Sequence, residues 1–234
     1  MKQLALDVGL AVGSTLDNFI VGDNGAALSY IAALLEPAPP DAAPVYLWGV
    51  SGTGKTHLLR AVAERLRARG AAVGWLDPTT TPDAPFDDAW GAVVFDDVHQ
   101  FDDARQALAF NWFVNATTPA RGAPRLLFAA GREPPADLPL REDLRSRLGW
   151  GQVFRLAGPS EATRRAVLRA QARERGIALP DEVLDYMLAR FRRDLASLTQ
   201  LLALLDRFAL RAQRAVTIPL VRAMLDADIE SESP

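Results

Sequence analysis

The chain has 234 residues, 49% of them hydrophobic, with a formal net charge of −3 at pH 7 and no cysteine. The slightly acidic balance excludes the global basic field that drives tight duplex binding, and the missing thiols exclude disulfides and thiolate zinc sites. No apolar run approaches about 18 residues, and the start Met1-Lys2-Gln3-Leu4-Ala5-Leu6-Asp7-Val8 is too short and too acidic for a signal peptide. No membrane contact is expected, and a cytoplasmic location is.

Residues 1–15 read as an extended tail, broken by Gly9, Gly13 and Ser14. Residues 16–22 then lead into a helix near Gly25–Leu35, and the Pro/Ala-rich stretch from Pro37 to Pro44 reads as a loop. From Val45 the pattern alternates. Strands are expected at Val45–Trp48, Ala72–Leu76, Ala92–Phe95, Arg125–Ala129 and Gln152–Arg155. Helices are expected at Lys55–Arg69, Ala104–Thr117 and Leu144–Leu148. Short apolar strands alternating with helices point to a parallel sheet covered on both faces. After Gly158-Pro159 the strand signal stops. Ser160 is expected to cap a helix over Glu161–Arg175, ended by Gly176, and Asp181 to cap one over Glu182–Arg190. Leu195, Leu198, Leu201, Leu202, Leu205 and Phe208 recur at helical spacing, and Pro219–Ala227 reads as a last short helix. The expected organisation is a tail (1–15), an α/β domain (16–157) and a small all-α domain (158–234).

The chemistry concentrates at residues 49–56, Gly-Val-Ser-Gly-Thr-Gly-Lys-Thr, directly after the first strand. This is the phosphate loop in its expected setting between strand and helix. Gly49, Gly52 and Gly54 let backbone N–H groups turn inward, with Thr53 between the last two, and the helix N-terminus adds to the anion cradle. Lys55 supplies a point charge to the β- and γ-phosphates, and Thr56 a hydroxyl to Mg²⁺. The only lysines among the 26 basic residues are Lys2 and Lys55. Arginine thus replaces lysine nearly everywhere except where phosphate chemistry calls for an ammonium. The third strand ends in Asp96-Asp97. In a parallel sheet that end lines the ligand crevice, which places Asp96 near Mg²⁺ and Asp97 where it could polarise a water. His57, in the first turn after the loop, is counted with the nucleotide-contacting residues. Neither His57 nor His99 has a cysteine or second histidine nearby, so no metal role is read for them. Trp48, Phe110, Trp112, Phe113 and Trp150 read as core or interface residues, with no basic groove interleaved among them.

Four segments together resemble one family. Gly-Val-Ser-Gly-Thr-Gly-Lys-Thr-His-Leu-Leu, Val-Val-Phe-Asp-Asp-Val-His, Ser146-Arg147-Leu148-Gly149-Trp150-Gly151 and the helical end domain are similar to the DnaA branch of the AAA+ ATPases. Leu16-Asp17-Asn18-Phe19-Ile20-Val21-Gly22 resembles the segment that opens that ATPase module and lies against the adenine. The resemblance covers about residues 16–228. It implies an AAA+ P-loop core with a five-stranded parallel sheet and a small α-helical lid, binding ADP or ATP with Mg²⁺. It also implies nucleotide contacts from Phe19, Val21 and a lid arginine, Arg193. Arg147 falls at the arginine finger, delivered in trans to a neighbour's γ-phosphate; the alternative is a surface helix arginine that pairs with Glu142 or Asp143.

The chain ends without the initiators' DNA-reading helix-turn-helix segment and lacks their long N-terminal extension. In that place Gln3-Leu4-Ala5-Leu6 resembles peptides that dock into the DNA polymerase sliding clamp, with Gln3 hydrogen-bonding and Leu4 and Leu6 filling apolar pockets. Asp7 and Val8 depart from the usual endings of such peptides. The resemblance therefore implies a clamp-bound regulator that meets DNA through the clamp and promotes hydrolysis of ATP held by the initiator DnaA, preventing re-initiation. The arginine finger fits either a head-to-tail contact or a homodimer that buries it. After the fourth strand the initiators carry a polar γ-phosphate sensor. Here Ala129, Ala130 and Gly131 offer none, which suggests holding nucleotide more than cycling it, so at most a weak intrinsic ATPase is expected. The alternative is a helicase loader or transposition helper of the same branch that grips single-stranded DNA, for which Arg60, Arg65, Arg67 and Arg69 are the candidate groove. A small-molecule kinase is disfavoured by the Arg147 context and the all-α end domain.

Overall fold

The computed structural model describes residues 14–36, 43–120, 122–191 and 195–230. The described chain falls into two compact units divided between Ala157 and Gly158, with Ser51–Thr53 grouping with the second.

The first unit is built on five strands: β1 (Val45–Trp48), β2 (Ala72–Leu76), β3 (Trp90–Phe95), β4 (Leu126–Gly131) and β5 (Gln152–Arg155). All pairings are parallel, in the order β2-β3-β4-β1-β5. Trp48 lies level with Gly131 on one side and Arg155 on the other. The carboxyl ends of β1, β4 and β3 therefore open along one rim, which is where open parallel sheets place ligands. Strand alternation sorts the side chains into two layers. Val45, Leu47, Val94 and Phe128 bury against Ile31 and Leu34 of α1 (Gly25–Leu34) and Leu58, Leu59 and Val62 of α2 (Lys55–Arg67). Tyr46, Val93, Phe95 and Leu127 face the other way. They pack on Trp112 and Phe113 of α3 (Asp103–Thr117) and Leu144 and Leu148 of α4 (Glu142–Leu148).

Helix ends follow local chemistry. The Asp102 carboxylate accepts from Arg105 N at 2.9 Å and caps α3. Helix α2 stops at Arg67, short of the expected Arg69, and Gly70 takes a positive φ of 82° to turn the chain. Strands β3 and β4 run longer than their apolar runs alone indicated, reaching Trp90 and Gly131.

The second unit is helical: α5 (Glu161–Glu174), α6 (Asp181–Arg190), α7 (Leu195–Ala212) and α8 (Ile218–Glu230). Its core joins Leu168, Val183, Met187, Leu198, Leu202, Leu205, Leu220 and Val221. Ser160 caps α5 by accepting from Thr163 N at 3.1 Å. Asp181 does not cap α6. Pro180 holds the N-cap with φ −64°, and Asp181 is the first helical residue, accepting from Arg169 at 2.6 Å. The proline ring presets the backbone for entry, and the carboxylate still faces the positive end of the helix.

Candidate functional site

The loop 49–56 leaves β1 and enters α2, with φ of 82° at Gly52 and 93° at Gly54. A Cβ on Gly54 would also meet Phe19 Cε2 at 2.8 Å, so this position excludes every side chain twice over. Thr53 and Lys55 are buried. The Lys55 ammonium donates to Gly49 O at 2.7 Å and Val50 O at 3.1 Å, which fixes it inside the curl of the loop. Burial lowers its pKa, and the charges of Asp97 and Asp96 oppose that shift.

Forty residues on, β3 ends at Phe95, and Thr56 Oγ1 donates to Asp96 Oδ1 at 3.1 Å. Hydroxyl and carboxylate are thus brought together at the mouth of the loop. Burial pushes the Asp96 carboxyl up to about 6, against the Thr56 hydrogen bond, which favours the charged form. Among the described residues no three His, Cys, Asp or Glu side chains form a metal-holding group. A divalent cation held by Thr56 and Asp96 would therefore draw its remaining oxygens from phosphate and water, the habit of Mg²⁺. The donor set fits that ion.

Asp97 takes a left-handed backbone (φ 53°, ψ 43°), which turns it away from the strand line. Its Oδ1 lies 3.9 Å from His99 Nδ1. Burial lowers the His99 pKa, so the ring is neutral at physiological pH, and its buried Nδ1 has no hydrogen-bond partner among the described residues. Past Ala130, a Cβ at Gly131 would come within 2.1 Å of the Tyr46 hydroxyl, which donates to Glu133 O at 2.8 Å. Position 131 has no room for a side chain while Tyr46 stays in place.

The entry segment lies on the same rim. His57 Nε2 is 3.2 Å from Thr15 O, and its ring packs at a tilt against Phe19, centroids 5.9 Å apart. Phe19 is buried, whereas Val21 is exposed. Asn24 had no role in the sequence reading, because Gly-Asp-Asn-Gly looks like an ordinary turn. The structure buries it. Its Nδ2 donates to Ala157 O at 2.9 Å and its Oδ1 accepts from Ala157 N at 2.8 Å, tying the entry segment to the end of the first unit.

Arg147 stands on α4, and its guanidinium lies over the rings of Trp150, Phe110 and Phe113 at 4.8, 5.0 and 5.7 Å. The carboxylate of Asp143 pairs with Arg141 at 2.7 Å, and among the described residues Arg147 makes no ion pair. Gln3, Leu4, Leu6 and Arg193 lie outside the described residues.

With this geometry in place, comparisons add the relationships. The family model for the bacterial DnaA ATPase domain matches residues 10–74, and the model for the lid domain of Hda matches residues 161–225. Together the two models, each over part of the chain, support an Hda-like, DnaA-related AAA+ protein. Its fold is similar to that of AMPPCP-bound DnaA from Aquifex aeolicus, at 22% identity and TM-score 0.67, over 85% of this chain and 67% of that one. Domain III of Thermotoga maritima DnaA is similar at 21% identity and TM-score 0.71, over 94% and 98% of the two chains. The Thermotoga maritima RuvB Holliday junction branch migration motor shares the fold more distantly in sequence, at 18% identity and TM-score 0.64, over 92% and 72%. A five-stranded parallel AAA+ core followed by a helical lid domain is therefore the architecture of this protein. No helix of the described residues is long and apolar enough to cross a membrane.

Proposed function

We propose that this AAA+ protein holds ADP or ATP with Mg²⁺ in its own site and acts in trans, stimulating hydrolysis of ATP bound to the initiator DnaA while tethered to the sliding clamp. The observation that carries the reading is the match of residues 161–225 to the lid domain of Hda. The roles follow from the chemistry of the site. The loop N–H groups and Lys55 hold the β-phosphate. Thr56 and Asp96 hold the cation, and Asp97 stands where a water would be polarised. Phe19, Val21 and His57 line the nucleotide's approach, and Arg193, outside the described residues, is assigned a nucleotide contact by the family resemblance. Arg147 is the finger for the neighbour's γ-phosphate.

Two observations support holding over cycling. Ala129 and Ala130 carry no polar group and Tyr46 closes position 131 to one, and Asp97 reaches less far than a glutamate would. The tail residues Gln3, Leu4 and Leu6 carry the clamp contact, and DNA is met through the clamp. A homodimer that covers Arg147 is a resting form compatible with this role.

Two measurements test the reading. DnaA preloaded with labelled ATP should release phosphate faster when this protein and DNA-loaded clamp are both present than with either alone. In a pull-down the protein should retain clamp and leave replicative helicase in solution. Helicase capture without clamp capture would favour the loader reading instead.

A further inference from the structure

A guanidinium has two recognisable parts, a flat π face and an edge of N–H donors. A carboxylate takes the edge and occupies the donors, whereas an aromatic ring takes the face and leaves them free. Arg147 is held among aromatic rings, and among the described residues no carboxylate takes its donors. Trp150, Phe110 and Phe113 surround it at 4.8, 5.0 and 5.7 Å, and the acidic neighbour Asp143 is engaged by Arg141. Phe113 and Trp150 meet at an interplanar angle of 83°, so they form two walls of a corner and not a flat floor.

The three rings come from different places. Phe110 and Phe113 are one turn apart on α3, and Phe113 is anchored in the core. Trp150 follows α4 and is 66% exposed, an unusual position for so large an apolar ring. Gly151 fixes the backbone beneath it. A Cβ there would strike Pro44 O at 1.8 Å, so the chain passes Pro44 only as glycine before Gln152 N bonds to Pro44 O at 2.8 Å. The backbone that carries Trp150 is thereby set at the start of β5, with the ring 4.8 Å from the Arg147 guanidinium.

We propose that Phe110, Phe113 and Trp150 form an aromatic tray that positions the Arg147 guanidinium, its N–H donors unclaimed by any carboxylate, for the phosphate of a neighbouring subunit. The proposal rests on Arg147 being the finger. The rings are positioning residues: they act through Arg147 and touch no phosphate. Restricting the guanidinium plane before docking removes freedom that would otherwise be lost in the transition state, so the tray should affect turnover more than encounter.

The test measures phosphate release from ATP-loaded DnaA at varied concentrations of this protein on clamp-loaded DNA. Trp150→Ala and Trp150→Leu should each lower maximal stimulation about tenfold, with half-saturation changed less than about twofold. Trp150→Phe should restore most of it, because it returns a π face that leucine lacks. Phe110→Leu should act in the same direction and guards against a special effect at the exposed site. In an Arg147→Ala background, Trp150→Ala should have no further effect. Full stimulation by Trp150→Leu would overturn the tray, as would a Trp150→Ala effect that persists without Arg147. Full stimulation by Arg147→Ala would overturn the finger reading itself, a different arm of the same experiment.

Discussion

Lys55 and Asp96 show how single side chains here serve the site at the expense of the fold. The Lys55 ammonium is enclosed by Gly49 O and Val50 O, and its pKa is lowered by burial. The proposed role of this ammonium is to meet a phosphate. Lys55→Ala should weaken ADP and ATP binding by about 100-fold or more, the scale of a lost charge-assisted contact in a desolvated site. Calorimetry checks this, and unchanged affinity would remove the loop from the nucleotide site. Asp96 carries a clearer cost. Its carboxyl is raised from 3.8 to about 6, so the folded chain binds a proton more tightly than the unfolded one. Stability from this group is therefore greatest below the unfolded value and falls as pH rises through the window from about 4 to 6. By neutral pH the cost is about 3 kcal/mol, from about two units at 1.36 kcal/mol each. Asp96→Asn should raise the melting temperature of the nucleotide-free protein near neutral pH by several degrees and flatten its pH dependence. The same change should abolish the tightening of ATP binding by Mg²⁺. A lower melting temperature near neutral pH would show that the Thr56–Asp96 hydrogen bond outweighs the burial.

At the scale of elements, most of the architecture was legible because its signals are local. Strands β1, β2 and β5 match their expected bounds, since each is a short apolar run between turn residues. The Asp102 carboxylate starts α3 one residue earlier than the apolar pattern indicated. Asp102→Ala should destabilise the first unit by about 1 kcal/mol through the orphaned Arg105 N–H, read from urea unfolding. What was not legible depended on tertiary contact. Asp181 looked like a cap, yet Pro180 takes that place and Asp181 pairs with Arg169 on α5. Asn24 carries no local signal of its role, and its amide clasps Ala157, 133 residues away. The left-handed backbone of Asp97 has only a weak sequence signal, because aspartate visits that conformation less routinely than glycine. The sequence reading paired Arg147 with either a carboxylate or a phosphate. It did not foresee three aromatic rings gathered from α3 and the segment after α4.

At the scale of the whole molecule, the residues of the loop and the third strand meet on one rim because β4 sets β1 and β3 in register. The N-terminal tail has a separate proposed role. Replacing Gln3, Leu4 and Leu6 by alanine should eliminate co-elution with clamp while leaving nucleotide affinity and melting temperature unchanged. Co-elution as in wild type would leave the tail without a function. The central claim is that this protein acts on a neighbour's nucleotide through Arg147. The direct measurement is release of labelled phosphate from ATP-loaded DnaA on clamp-loaded DNA, with wild-type, Arg147→Ala or Arg147→Lys protein. Arginine fingers contribute about 10³–10⁵ in rate in GTPases, and a slower ATPase leaves room for a smaller factor. The account predicts that both variants bind nucleotide normally and lose most of the stimulation, the lysine because a point charge lacks the planar donor edge. Full stimulation by Arg147→Ala would contradict it.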